Sequence, residues 1–100
     1  MSQEEIITKV REAVESDPNK DYIQSIYLFG SFLHGDAKKD SDVDLFFEAK
    51  KTMGLFKLFA SQHHFEQIIG RKVDLVEKDS LDKYIKQDIL TKAKKIYENR

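Results

Sequence analysis

Apolar residues recur along the chain at helical spacing in three segments, alternate with polar residues in two others, and form a continuous run at 26–29 in a sixth. Each segment is bounded by a turn or capping signal, such as Asp17-Pro18-Asn19, where proline cannot continue a helix. In chain order, the pattern predicts a helix over residues 3–16, strands over 22–29 and 42–48, a helix over 54–69, a strand over 71–77 and a last helix capped by Ser80.

The three predicted helices each have one apolar side. Ser2 and Glu5 form a capping-box pair at the start of the first helix, and Gly70 is a C-terminal stop for the second. Phe56, Phe59 and Phe65 of the second helix are predicted to be core or partner-facing residues. The apolar side of that helix is Leu55, Leu58, Phe59, Phe65, Ile68 and Ile69, and that of the last helix is Leu81, Tyr84, Ile85, Ile89, Ala93, Ile96 and Tyr97.

The order of the elements predicts a mixed sheet of about three strands in an α+β fold, with the helices packed mainly on one face. The second strand, second helix and third strand form a unit that makes parallel neighbours, whereas the short loop between the first two strands favours an antiparallel pair. The alternation turns three acids, Asp42, Asp44 and Asp74, away from the helices. The face expected beneath the helices is Val43, Leu45, Phe47, Val73 and Leu75.

Composition limits the class of protein. One hundred residues, 40% of them hydrophobic, fit one domain over residues 1–100 with a real core. The net charge of −1 gives no field that would favour nucleic acid, and zero cysteines fit a reducing compartment. No apolar run approaches the ~20 residues of a membrane span. We therefore expect a soluble, cytoplasmic protein.

Gly30 and Gly35 have the spacing of the two glycines in a P-loop. That motif continues with lysine and Ser/Thr, but this chain continues with Asp36 and Ala37. Without the lysine no charge would reach the outer phosphates, so the P-loop interpretation fails.

Asp40, Asp42 and Asp44 occupy positions one, three and five of a calcium-binding loop. Position six of that loop must be glycine and is Leu45, and position twelve must be a bidentate acid and is Lys51. The calcium-loop interpretation therefore fails as well.

A third pattern joins Gly30-Ser31 to Asp42-Val43-Asp44. Glycine at a strand end lets the backbone approach a phosphate, and the following serine offers a hydroxyl and free N–H groups at the start of a helical turn. Two acids at alternate strand positions point the same way and can converge on hard cations. With Asp74 on the neighbouring strand, they predict a nest for two magnesium ions.

These residues resemble the signature of the DNA polymerase β-like nucleotidyltransferase superfamily, and within it the minimal nucleotidyltransferases (MNT). The resemblance covers nearly the whole chain: "FGS" closes a strand, "GDAKKDSDVDLFFE" leads through the acids, "IIGRKVDLVEKDSL" carries the third acid, and a final helix ends in "KKIYE". It implies the nucleotidyltransferase fold and a nucleoside triphosphate substrate.

By this resemblance, Gly30 and Ser31 would hold the β- and γ-phosphates of ATP. Asp42 and Asp44 would ligate two Mg²⁺ ions, with Mn²⁺ as an alternative, and Asp74 would bind the metal nearest the acceptor hydroxyl. The competing interpretation, an acid pair on a solvated strand edge, does not account for Gly30-Ser31.

Two positions depart from what is common in the family. His34 stands just before the second glycine, where many members have a basic residue, and Phe32 stands where others have arginine. Lys38, Lys39 or Arg71 are candidates to supply phosphate affinity instead.

The resemblance implies an antitoxin that pairs with a HEPN-type toxin. The enzyme hypothesis is transfer of AMP from ATP to a toxin hydroxyl, with tyrosine as the expected acceptor. The first alternative is a binding module that neutralises the toxin by complex formation alone. The second alternative is a nucleotidyltransferase that acts on a small molecule. The absence of a substrate domain disfavours this alternative, and it disfavours nucleic acid as a substrate for the same reason.

Overall fold

The computed structural model describes residues 1–81 and 83–100, and for residues 83–85 it describes the backbone only. The helices are α1 (Gln3–Glu15), α2 (Ser31–His34), α3 (Leu55–Ile69) and α4 (Lys83–Lys92), with short 3-10 helices at Lys20–Tyr22 and Lys78–Ser80. The strands are β1 (Ile23–Phe29), β2 (Val43–Ala49), β3 (Val73–Glu77) and β4 (Lys94–Glu98).

The strands form one mixed sheet in the order β3-β2-β1-β4. As predicted, β1 pairs antiparallel with β2, and β2 pairs parallel with β3 through the α3 crossover. The fourth strand, β4, pairs antiparallel with the free edge of β1. The predicted α+β fold is therefore confirmed, with one more strand than expected.

α1 begins at the predicted capping box: the Glu5 N–H donates to Ser2 Oγ at 3.1 Å, and the Ser2 N–H donates to Glu5 Oε1 at 3.2 Å. α1 and α3 cover one face of the sheet, and the side chains predicted to lie beneath them are buried. This layer contains Ile6, Val10, Val14, Ile26, Leu28, Val43, Leu45, Phe47, Phe65, Ile69, Val73, Leu75 and Ile96.

The prediction for the C-terminal segment was wrong in its second half. The helix begins at Lys83 rather than directly after Ser80, which ends a 3-10 helix, and it stops at Lys92. The "KKIYE" segment is strand β4, in which Ile96 is buried and Tyr97 lies opposite Ile26. Long-range pairing with β1 decides this, because an edge strand gains hydrogen bonds that local periodicity does not reveal. The predicted apolar positions Tyr84 and Ile85 lie outside the described side chains.

α3 places only part of its predicted apolar side in the core. Phe65 and Ile69 are buried, but Leu55 and Phe59 are 68% and 59% exposed, and Phe56 is 94% exposed. The N-terminal half of α3 therefore extends past the edge of the core, and of the two placements predicted for Phe59, core or partner-facing, the structure excludes the core.

The other face of the sheet is also partly packed. The rings of Tyr27 and Phe46 stack with centroids 4.7 Å apart, and Phe29 lies 5.8 Å from Phe46. Beyond them, Glu48 Oε1 accepts hydrogen bonds from Ser25 Oγ at 2.7 Å and from the Tyr27 hydroxyl at 2.9 Å. Among the described residues, no helix combines the length and apolarity needed to cross a bilayer.

Candidate active site

The predicted site residues meet at one end of the sheet. Asp44 is the second residue of β2, and the strand register pairs it with Phe29 on the β1 side and with Asp74 on the β3 side. Gly30 directly follows Phe29, so the glycine and the two acids lie side by side across three strands. The sequence predicted this grouping, and the structure supplies the register that produces it.

Gly30 makes close contact with Asp44. Its backbone has a φ of +75°, a conformation that other residues rarely adopt. A Cβ atom on Gly30 would lie 2.1 Å from Asp44 Oδ2 and 2.9 Å from its Cγ. Only glycine allows the Asp44 carboxylate to lie directly against the turn between β1 and α2.

Asp44 is half-buried, and its pKa is raised from 3.8 to about 6. Burial, which disfavours the charged form, is the largest cause. The Asp74 carboxyl adds to it by repulsion and by a hydrogen bond to the Asp44 side chain, and Asp42 adds a further repulsion. This environment favours a proton or a cation at Asp44.

Asp42 and Asp74 are exposed, in contrast to Asp44. Asp42 immediately precedes β2 rather than lying within it, so its backbone belongs to the loop. Among the described residues, no group of three or more His, Asp or Glu side chains stands ready to hold a metal ion. Because Asp74 already contacts the Asp44 side chain, it is Asp42 that must turn toward the other two if all three are to share a cation.

Ser31 opens the four-residue helix α2 on the other side of Gly30. The Leu33 and His34 N–H groups both donate to the Gly30 carbonyl, at 3.1 and 3.2 Å, which fixes the turn. The first N–H groups of a helix have no partner within the helix. In α2 these are the Ser31 and Phe32 N–H groups, which directly follow Gly30, the residue in contact with Asp44.

A loop over residues 35–42 connects α2 to the acids of β2. The Lys38 N–H donates to Ser41 Oγ at 2.7 Å and the Ser41 N–H donates to the Lys38 carbonyl at 3.0 Å, so the loop is closed by its own turn. Arg71 also binds this loop: its Nη1 donates to the Lys39 carbonyl at 2.7 Å and to the Ser41 carbonyl at 3.2 Å. A depression of about 220 Å³ is lined by Asp42 together with Lys39, Ser41 and Arg71.

Phe32 and His34, the two positions that depart from the family pattern, have different surroundings. Phe32 is buried, and its ring packs under Arg71, whose guanidinium carbon lies 5.2 Å from the ring centre. His34 is exposed at the end of α2. The sequence indicated Arg71 only as a candidate phosphate ligand. Its position near the site could have been inferred from the adjacent Gly70 and the nearby Asp74.

Comparisons with known proteins agree with this geometry. Residues 9–100 match the family described as "Polymerase beta, Nucleotidyltransferase". The chain is 37% identical over 68 residues to the protein adenylyltransferase MntA of Thermococcus cleftensis, a match that covers 68% of this chain and 69% of that protein. The chain therefore belongs to the polymerase β nucleotidyltransferase family, in the group of minimal nucleotidyltransferases that contains the protein adenylyltransferase MntA.

Solved structures show the same fold. A toxin-antitoxin structure with AMP-PNP superposes with a TM-score of 0.78 at 23% identity, covering 94% of this chain and 74% of that one. The complex of a tri-AMPylated HEPN toxin of Shewanella oneidensis with its MNT antitoxin gives 0.71 at 22% identity, covering 97% of this chain and 73% of that one. The resemblance predicted from the sequence is confirmed.

Proposed function

We propose that this nucleotidyltransferase transfers AMP from ATP to a hydroxyl group of a HEPN-type toxin, most simply that of a tyrosine, and thereby inactivates it. The observation that carries the proposal is Asp44, whose carboxyl lies against Gly30 and in register with Asp74. The tri-AMPylated HEPN toxin found with the Shewanella oneidensis MNT antitoxin supports this acceptor class.

The donor set fits divalent cations with oxygen ligands. Three carboxylates at one end of the sheet, one of them half-buried with a raised pKa, are stabilised when a hard cation such as Mg²⁺ joins them. Asp42, Asp44 and Asp74 would hold two such ions. When bound, they would lower the pKa of the acceptor hydroxyl and neutralise charge on the triphosphate.

The chain's own residues would orient the two substrates. The Ser31 hydroxyl and the N–H groups that begin α2 would donate to the outer phosphate oxygens, and Gly30 would let those oxygens approach the backbone. Asp74 is exposed on β3, at the flank of the sheet away from β1. It would be the acid on the acceptor side. The acceptor oxygen then bonds to the α-phosphorus, the bond from that phosphorus to pyrophosphate breaks, and the acceptor proton is lost to solvent.

Intact-protein mass spectrometry tests this function. The HEPN protein from the same organism, incubated with this protein, ATP and Mg²⁺, should gain the mass of one or more AMP groups. It should also stay inactive after the antitoxin is removed, because a covalent mark outlasts the complex.

Asp44→Ala supplies the control. This variant should still bind the toxin but neither add AMP nor protect cells. Full protection by Asp44→Ala, with no mass gain in the wild-type reaction, would overturn transfer and establish neutralisation by complex formation.

A further inference from the structure

Arg71 lies where the three segments of the candidate active site meet. It follows Gly70, which turns the chain out of α3 with a φ of +78°, and it precedes β3, the strand that carries Asp74. Its Nη1 binds two carbonyls of the 35–42 loop, and its guanidinium face packs on Phe32 of α2. The half-buried Arg71 side chain thus contacts both α2, which would bind the phosphates, and the 35–42 loop, which leads to the acids.

Hydrogen bonds to Arg71 and Lys72 hold the backbone on both sides of Asp42. The Ser41 carbonyl accepts from Arg71 at 3.2 Å, and the Val43 N–H donates to the Lys72 carbonyl at 2.9 Å. Asp42 lies between these two contacts. The loop's own turn at residues 38–41 closes the loop but does not fix it against β3, whereas the Arg71 contact does.

The chemistry of this position requires arginine. A guanidinium group is planar, so it can donate in its plane to two carbonyls while its face stacks on an aromatic ring. A lysine ammonium is a compact charge on a flexible stem and cannot do both. Phe32, one of the two residues that depart from the family pattern, supplies the ring on which Arg71 stacks.

We propose that Arg71 is a positioning residue for AMP transfer: it fixes the loop that carries Asp42 against the Ser31 helix and the Asp74 strand before substrates bind. The inference rests on the proposed function and assigns no contact between Arg71 and the nucleotide. Its effect is geometric, and a misplacement of about 1 Å at a reacting centre is enough to cost roughly 100-fold in rate.

Arg71→Ala is the test, with Arg11→Ala as its matched control. Arg11 Nε also donates to a backbone carbonyl, that of Ile96, at 2.9 Å, but it does so at the β4 edge. Both variants lose one positive charge, and each loses arginine-to-carbonyl hydrogen bonds, two at Arg71 and one at Arg11. Arg71→Ala should lower kcat for AMP transfer by roughly 10- to 100-fold with a smaller change in the KM for ATP, while Arg11→Ala leaves both unchanged.

Two further measurements separate positioning from general damage. Hydrogen exchange of the unliganded protein should be faster over residues 36–43 in Arg71→Ala and unchanged there in Arg11→Ala. Guanidinium ion at tens of millimolar, far below denaturing concentrations, should restore part of the kcat of Arg71→Ala only. Arg71→Gln, which keeps an amide donor, replaces the alanine variant if circular dichroism shows that the latter is unfolded.

The outcomes distinguish the inference from the proposed function. Wild-type protein that transfers no AMP overturns the proposed function. Unchanged exchange over residues 36–43 in Arg71→Ala overturns the positioning role, whether or not the wild type is active. A large rise in the KM for ATP with unchanged loop exchange also overturns it, and assigns Arg71 to direct phosphate binding instead.

Discussion

Gly30 shows how a single residue fixes the geometry of this site. Its positive φ turns the chain from β1 into α2, and its missing side chain leaves room for the Asp44 carboxylate. The glycine therefore serves both the phosphate side and the acid side of the site. Gly35 at the other end of α2 has a similar φ of +78°, but a Cβ atom there would meet nothing within 4 Å.

Gly30→Ala should destabilise the protein more than Gly35→Ala does. Both substitutions place alanine at a positive φ, but only Gly35, with a ψ of 11°, lies in the left-handed helical region, whereas Gly30 has a ψ of −154°. The backbone strain is therefore about 1–2 kcal/mol at Gly35 and about 1–3 kcal/mol at Gly30. Gly30→Ala additionally drives a methyl group into Asp44, so we expect an extra loss of about 1–3 kcal/mol. Urea unfolding monitored by circular dichroism measures both values.

The double variant Gly30→Ala/Asp44→Ala identifies the cause of the extra destabilisation by Gly30→Ala. If the collision with the carboxylate is responsible, the extra cost of Gly30→Ala should shrink when Asp44 is truncated. Equal losses in the free energy of unfolding for Gly30→Ala and Gly35→Ala would show that a methyl group at Gly30 causes no costly collision with Asp44.

α3 divides into two parts at the scale of the element. Its C-terminal half buries Phe65 and Ile69 in the core. The same half also covers the edge of β3, where Glu66 Oε2 and Gln62 Oε1 accept hydrogen bonds from the Val73 and Leu75 N–H groups, at 3.0 and 3.2 Å. The N-terminal half exposes its aromatic side chains. The half of α3 that leads into Arg71 and β3 is therefore the half that is anchored.

Phe65→Ala and Phe56→Ala should differ strongly in their effect on stability. Removing the fully buried Phe65 ring leaves a cavity between α3 and the sheet and should cost about 3–5 kcal/mol. Removing the Phe56 ring, which is 94% exposed, should change the free energy of unfolding by less than about 0.5 kcal/mol. Chemical denaturation of the two variants makes the comparison, and a similar loss in both would contradict this division of α3.

At the scale of the whole molecule, nearly balanced charge conceals a local excess of negative charge. The net charge is −1, yet Asp42, Asp44 and Asp74 occupy one end of the sheet. In the metal-free protein the ionised form of Asp44 is destabilised by burial and by its neighbours, which is why its pKa rises to about 6. The ionised Asp44 carboxylate therefore lowers the stability of the metal-free fold.

Asp44→Asn should stabilise the metal-free protein at neutral pH. The folded pKa of Asp44 exceeds its unfolded value of 3.8, so folding binds protons and the wild type loses stability as pH rises from about 4 through 6. The full shift corresponds to about 3 kcal/mol, which solvent screening at this half-exposed site reduces to about 1–2 kcal/mol in favour of the variant at pH 7.5.

Urea unfolding with chelator at several pH values measures this difference. The advantage of Asp44→Asn should decline as pH falls toward 4, because the wild-type carboxyl is then protonated. Millimolar Mg²⁺ should stabilise the wild type more than the variant, since it binds the folded acids. A variant that is less stable at pH 7.5 would mean that Asp44 is ionised for a structural purpose.

The sequence by itself determined the local features of the protein. The capping box of Ser2 and Glu5, the alternation that buries Val43 and Leu45, and the strand–helix–strand unit are local patterns, and each appears in the structure. The grouping of Asp44 and Asp74 beside Gly30 was also predictable, because period-two alternation and a parallel register follow from short segments.

The tertiary structure alone decided what depends on distant partners. "KKIYE" is a strand because the free edge of β1 accepts it, and Leu55 is exposed because α3 extends past the core, neither of which periodicity can show. The contact of Arg71 with Phe32 and the 35–42 loop joins residues more than 25 positions apart, and the pKa of Asp44 arises from burial and from neighbours on another strand. Burial and long-range contact are properties of the assembled fold, so these features were beyond the sequence pattern.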